Sequence, residues 1–243
     1  MTFLEHGEML CGAEAPSFLI FDFSTAPTLL FYSYIPIILG ALLLSLFIFF
    51  KHRSRESAAL LAMTSFFVLW VLNILVQWVS SYHTALMFAW QLTALFEVGL
   101  YLSVFYFVYT FLYQRDIPWS GKIVLGACML VTLLAMPTAW NVSAYDIENC
   151  EGVVGFLWNL LYALEPAVIV ALLWIGISRY RQATESVLKH QTVIATLGAA
   201  FFLTVFFISN FYAELTGVYE FNLWGPLGML IFLTLLSYLI VRF

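Results

Sequence analysis

The chain reads as an all-α membrane protein, a bundle of seven transmembrane helices with its N-terminus outside and its C-terminus in the cytoplasm. Three observations predict this. Hydrophobic residues are 63% of the 243 and charged residues only 9%, against about 45–50% and about 25% in soluble domains. The apolar residues fall in runs close to the ~20 needed for a helix to cross a ~30 Å hydrocarbon layer. Lys51, Arg53, Arg55, Arg115, Lys122, Arg179, Arg181, Lys189 and Arg242, which are all the Lys and Arg present, lie in loops on one side of those runs. The positive-inside rule makes that side cytoplasmic and the number of spans odd.

Residues 1–28 hold no Lys or Arg, and their apolar patch Phe18–Phe23 is short and broken by Asp22. They lack the charged start and long apolar core of a secretory signal and read as an extracytoplasmic arm ahead of a transmembrane domain, 29–243. Span 1 is expected at Leu29–Phe50, with Pro36 inside it, and is closed by the basic cluster Lys51–Arg55. Span 2 follows at Ala58–Val79, then the turn Ser80–Thr84, and span 3 at Ala85–Leu112. Span 4, Ile123–Ala139, is short and contains Pro137. An acidic loop, Trp140–Gly152, precedes span 5, Val153–Arg181, which carries Glu165-Pro166 near its middle. A polar linker, Tyr180–Gln191, leads to span 6 at Thr192–Tyr212, and span 7 covers Asn222–Val241.

Helical spacing sorts the polar residues into stripes. Span 2 places Trp70, Asn73 and Gln77 on one face, span 3 Thr93, Glu97 and Tyr101, span 5 Trp158, Tyr162 and Glu165, and span 6 Phe207, Asn210 and Glu214. Lipid offers no hydrogen-bond partner, so these stripes point inward. Together they suggest an aromatic-lined polar pocket for a small ligand, built from Trp70, Asn73, Gln77, Glu97, Tyr101, Trp158, Tyr162, Glu165 and Asn210. Glu97 and Glu165 both lie about 17 Å below the outer surface at ~1.5 Å per residue. If they face each other, repulsion favours one shared proton. Pro166 has no N–H and leaves the Tyr162 carbonyl without a helical donor beside them. The structural reading stands next to this one: Asn73, Gln77, Gln91, Asn159 and Asn210 also suit interhelical contacts worth about 0.6 kcal/mol each. Ionisable groups at that depth carry the stronger functional expectation.

Other chemistries find no residues. No Lys lies inside a span for a retinal Schiff base, and His6, His52, His83 and His190 sit in loops or at span ends, away from any haem or zinc site within the bundle. GxSxG and HExxH patterns are missing. Nine cations are too few for a phosphate-binding face, which argues against nucleic acid. Neither a cofactor nor a metal is expected. Cys11, Cys128 and Cys150 have no CxxC spacing. Cys11 and Cys150 share the outer side, and a disulfide between them is expected to tie the arm over the outer mouth. Asn141-Val142-Ser143 matches a glycosylation sequon in an outer loop.

Two stretches carry a family likeness. One is Lys51-His52-Arg53-Ser54-Arg55-Glu56-Ser57-Ala58-Ala59, running into a span with Phe66-Phe67-Val68-Leu69-Trp70. The other is Trp224-Gly225-Pro226-Leu227-Gly228, followed by Ser237-Tyr238-Leu239-Ile240-Val241-Arg242-Phe243. Both resemble the N-terminal seven-transmembrane sensor region of bacterial histidine kinases and related signalling proteins, although Leu239 stands where that family usually has Ala. The resemblance implies a multi-pass protein of the bacterial cytoplasmic membrane. It also implies a cytoplasmic output domain beyond Phe243 or in a partner protein, and it supplies no ligand residues. The chain itself carries no kinase motif and is expected not to be an enzyme.

Three function classes follow: a sensor that detects an extracytoplasmic or membrane-borne small ligand and signals through its cytoplasmic end, alone or as a homodimer; a carrier or channel for a small solute or proton using Glu97 and Glu165; and an accessory subunit of a membrane complex. Reporter fusions after Phe243 and within Trp140–Gly152 are expected to report opposite compartments. Finding both in one compartment would refute the seven-span topology.

Overall fold

A computed structural model describes residues 28–80, 82–146 and 151–242. The arm, Cys11 and Cys150 lie outside these residues, and so does the expected disulfide. Among the described residues there are seven α-helices: α1 Thr28–Lys51, α2 Arg55–Val79, α3 His83–Tyr113, α4 Trp119–Ala135, α5 Phe156–Gln182, α6 Ser186–Thr216 and α7 Gly225–Arg242. A 3-10 turn, Tyr219–Trp224, leads into α7. Strands β1 Val142–Asp146 and β2 Glu151–Val154 pair antiparallel. Six helical segments are long and apolar enough to cross a membrane, which makes this a multi-pass membrane bundle. With 17 residues, α4 spans about 26 Å, less than the ~30 Å of a hydrocarbon core.

The helix ends show why elements begin and stop where they do. Helix α2 starts three residues before the expected Ala58, because Ser54 and Ser57 form a reciprocal cap. The Ser57 N–H donates to Ser54 Oγ at 3.2 Å, and the Ser54 N–H donates to Ser57 Oγ at 3.0 Å. Helix α3 stops at Gln114, which adopts a left-handed backbone (φ 49°). Arg179, from the end of α5, donates to the Leu112 carbonyl there at 2.9 Å. Helix α4 ends before Pro137, which has no N–H to continue the ladder; the expectation of a span to Ala139 therefore ran four residues too far. Helix α5 starts at Phe156 and not at Val153, because 151–154 are taken up by the hairpin. Much of the expected linker 180–191 is helical, split between the end of α5 and the start of α6.

The long helices close into a ring in the order α1, α2, α3, α5, α6, α7, with α7 touching α1 again. Helix α4 stands outside, against α3, and buries only Thr132 and Ala135. Inside the ring lie Trp70, Tyr34, Tyr101, Phe67, Phe202, Phe206 and Phe232, all buried. Phe202 stacks on Phe232 at 6.1 Å and meets the edge of Phe67 at 5.9 Å. Cationic side chains gather at one end, the basic end, where Arg179 reaches Leu112 O and lies over the Tyr113 ring and Arg55 stands near Tyr106. There Lys122 pairs with Asp116 at 2.6 Å. Hydrogen bonds from Lys122 and then Tyr106 hold the Asp116 carboxyl below the usual carboxylate range.

The opposite, acidic end carries the hairpin. Asn141 is fully buried there, its amide nitrogen donating to Gln91 O at 2.8 Å and Met136 O at 3.1 Å. An amide so engaged is not free to carry a glycan, so the sequon match at Asn141 has no structural counterpart. Gly155 joins β2 to α5 and donates its N–H to Asn141 O at 2.8 Å. A Cβ there would overlap the backbone carbonyls of Trp140 and Ala139. Gly155→Ala is expected to lower stability by about 1–3 kcal/mol, seen as a lower thermal unfolding midpoint in detergent. Gly126→Ala, with open space around its Cβ in α4, is expected to stay within about 1 kcal/mol of wild type. Equal effects would refute this account of the hairpin junction.

Candidate functional site: a buried glutamate pair

Helices α2 and α3 run antiparallel as neighbours, so their polar stripes meet in reverse order. Gln77 Nε2 donates to Thr93 Oγ1 at 2.7 Å, and Asn73 Nδ2 donates to the same oxygen and to Ala89 O, each at 2.9 Å. Thr93 in turn donates to Ala89 O at 3.0 Å. One turn further along α3, Glu97 Oε2 accepts from Trp70 Nε1 at 3.3 Å. Its Oε1 accepts from Asn210 Nδ2 of α6 at 2.8 Å.

Glu165 enters from α5. Its carboxyl stands within electrostatic reach of the Glu97 carboxyl and the Tyr101 hydroxyl, and neither of its oxygens makes a hydrogen bond. Tyr101 directs its own proton to Leu203 O of α6 at 3.1 Å. An ionised Glu165 would therefore have no donor on either oxygen. Two carboxylates cannot share such a space, whereas two carboxyls with a proton between them can, one donating to the other. Glu97 and Glu165 are each 2% exposed. The ring of Phe206 packs 4.5 Å from Trp70 and 6.1 Å from Tyr101, closing the cluster with aromatic carbon.

The structure thus divides the nine expected ligand residues into three groups. Trp70, Glu97, Tyr101, Glu165 and Asn210 form the buried cluster. Asn73 and Gln77 belong to a separate relay centred on Thr93. Trp158 and Tyr162 place their rings 6.0 Å apart, with Tyr162 edge-on to Phe211 at 5.3 Å. Trp158 is buried, and its Nε1 has no partner. Thr93 and Phe206 are components that the expected ligand set omitted. Thr93 lies four residues before Glu97, and Phe206 four before Asn210, so helical phase was the signal for both.

Toward the acidic end, Tyr162 and Tyr219 come within electrostatic reach of Glu214. Glu151 of the hairpin stands near Asp146 and Glu214; burial first, and then these charges, hold its carboxyl above the usual range. Burial also pushes the nearby Tyr145 hydroxyl up to about 12. Among the described residues no three His, Cys, Asp or Glu side chains converge to hold a metal ion.

Neither a protein-family model nor a curated protein sequence matches the chain.

The cluster makes a stability prediction. Asn210→Ala removes the 2.8 Å donor from Glu97 and is expected to destabilise the bundle by about 1–3 kcal/mol. Glu165→Gln supplies an amide donor to Glu97 without needing the shared proton, and is expected to keep or raise the unfolding midpoint. If Asn210→Ala leaves the midpoint unchanged and Glu165→Gln lowers it sharply, the pairing described here is wrong.

Proposed function

We propose that the chain is a transmembrane sensor region of the bacterial cytoplasmic membrane, with its basic end in the cytoplasm and α4 as the seventh crossing. The observation that carries this reading is the Glu97–Glu165 contact. It sets α5 against α3, and Glu97 at the same time ties α3 to α2 and, through Asn210, to α6. Helix α6 packs along α7, whose end is Arg242. A stimulus that separates or joins the two carboxyls would thereby reach the cytoplasmic end of α7 with no soluble domain in between. The likeness of residues 51–59, 66–70, 224–228 and 237–243 to the sensor regions of bacterial histidine kinases agrees with this. In this reading the stimulus arrives from the acidic end or from the lipid, and an output domain or a partner protein reads α7.

The orphaned oxygens of Glu165 and the approach of Tyr162 to Glu214 favour a proton carrier as the second reading. One experiment separates the two. Full-length protein, with its native cysteines replaced and nitroxides on Cys substituted for Thr234 and Leu69, is placed in nanodiscs at acidic and at neutral pH. The sensor predicts that the distance between labels changes with pH in the wild type, is fixed in Glu165→Gln and is altered in Glu165→Leu, with no proton flux into liposomes. A distance indifferent to pH and to both substitutions overturns the sensor, and proton flux that Glu165→Gln abolishes establishes the carrier.

A further inference from the structure

A cavity of about 240 Å³ opens at the basic end, far from the glutamate pair. Its walls are apolar: Leu60 of α2, Phe107 and Phe111 of α3, and Leu236 and Leu239 of α7. Its rim is polar, formed by His52, Ser54 and Glu56 at the α1–α2 junction and by Gln191 of α6. Polarity therefore changes along one axis, from a wet mouth to a dry floor between α2, α3 and α7. The volume is below the about 300 Å³ where pockets for drug-sized ligands begin, which suits one flexible chain. Exposed Lys51, Arg53 and Arg55 flank the rim residues in sequence. Among the described residues Arg53 and Arg55 are in no ion pair, and Lys51 lies 5.6 Å over the Phe47 ring. Three cations thus alternate in sequence with the rim residues, against the single carboxylate of Glu56 on the rim.

We propose that this cavity binds the chain of an anionic amphiphile, with the tail between α2, α3 and α7 and the carboxylate or phosphate head among Lys51, Arg53 and Arg55. Water at the mouth and aliphatic and aromatic carbon at the floor match an amphiphile and suit neither a fully polar solute nor a fully apolar one. The cations select a negative head, and each methylene seated on the apolar floor strengthens binding by about fourfold. Because Leu236 and Leu239 belong to α7, occupancy wedges that helix against α2 and α3 at its basic end. The site stands independently of the glutamate pair.

The test uses the full chain in phosphatidylcholine nanodiscs, with decanoate as probe and decyltrimethylammonium as its cationic counterpart. Decanoate is expected to raise the thermal unfolding midpoint saturably, at a concentration about tenfold or more below that needed of the cation. Leu60→Trp fills the floor, and Gln191→Trp blocks the rim without touching the core; each is expected to abolish the decanoate shift. Arg53→Gln with Arg55→Gln is expected to weaken it. Discs containing phosphatidylglycerol separate the two sources: if a lipid chain is the occupant, the midpoint is already raised and decanoate adds nothing, whereas for a free amphiphile the shift persists. No shift in discs of either composition overturns the proposal. So does a decanoate shift unchanged by Gln191→Trp, or an equal response to the cation.

Discussion

A carboxyl group sealed within a membrane bundle must find its partners inside the protein, because the surrounding hydrocarbon has none to give. Glu97 meets this constraint with the Trp70 indole from one side and the Asn210 amide from another, and Glu165 stands near it without a hydrogen bond of its own. The two partners sit on different helices, so α2 and α6 are both oriented in rotation about α3 by one side chain. That rotation places Phe206 against Trp70 and Tyr101, and Phe202 between Phe67 and Phe232. Dispersion and hydrophobic burial fill the ring. The carboxyl decides which way each helix faces while it fills.

Much of this was legible in the sequence because helical period survives any change of environment. Trp70, Asn73 and Gln77 share a face by spacing alone, as do Thr93, Glu97 and Tyr101. The antiparallel run of α2 and α3 then brings Trp70 to Glu97, and Asn73 with Gln77 to Thr93. What spacing does not carry is the rotation of one helix relative to another. That is why nine residues drawn as one pocket divide into a cluster, a relay and an aromatic pair. Hydropathy has a sharper limit in lipid. Apolar side chains are equally at ease against tails and against other helices, so nothing in the composition of Trp119–Ala135 marked α4 as lying outside the ring. The hairpin escaped notice for a different reason: its strands have five and four residues, too few for alternation to stand out in an acidic stretch.

The two ends of the bundle are held by different means. At the basic end long cationic side chains reach over their neighbours: Arg179 to a helix-terminal carbonyl and across the Tyr113 ring, and Lys122 to Asp116 and across Trp119. At the acidic end there are no Lys or Arg to do this, and backbone takes over. Asn141 bridges Gln91 and Met136, and Gly155 lets the hairpin lie directly on the carbonyls of 139 and 140. Trp90 packs under Gly152 and edge-on to Tyr219, joining the hairpin to the segment before α7.

The closure of the ring between α1 and α7 bears on how the protein is made. Ribosomes deliver helices in order, and the members that meet at Glu97 are all synthesised once α6 has emerged. The polar interior can therefore assemble while one side of the ring is still open to lipid. The flank of α1 that will receive α7 waits through the synthesis of everything between them. Tyr34, whose hydroxyl ends on the Asn222 carbonyl, gains that partner only once residue 222 has been made. The seam between α1 and α7 thus closes only after every element between them has been made, and a chain arrested before α7 leaves that flank of α1 uncovered.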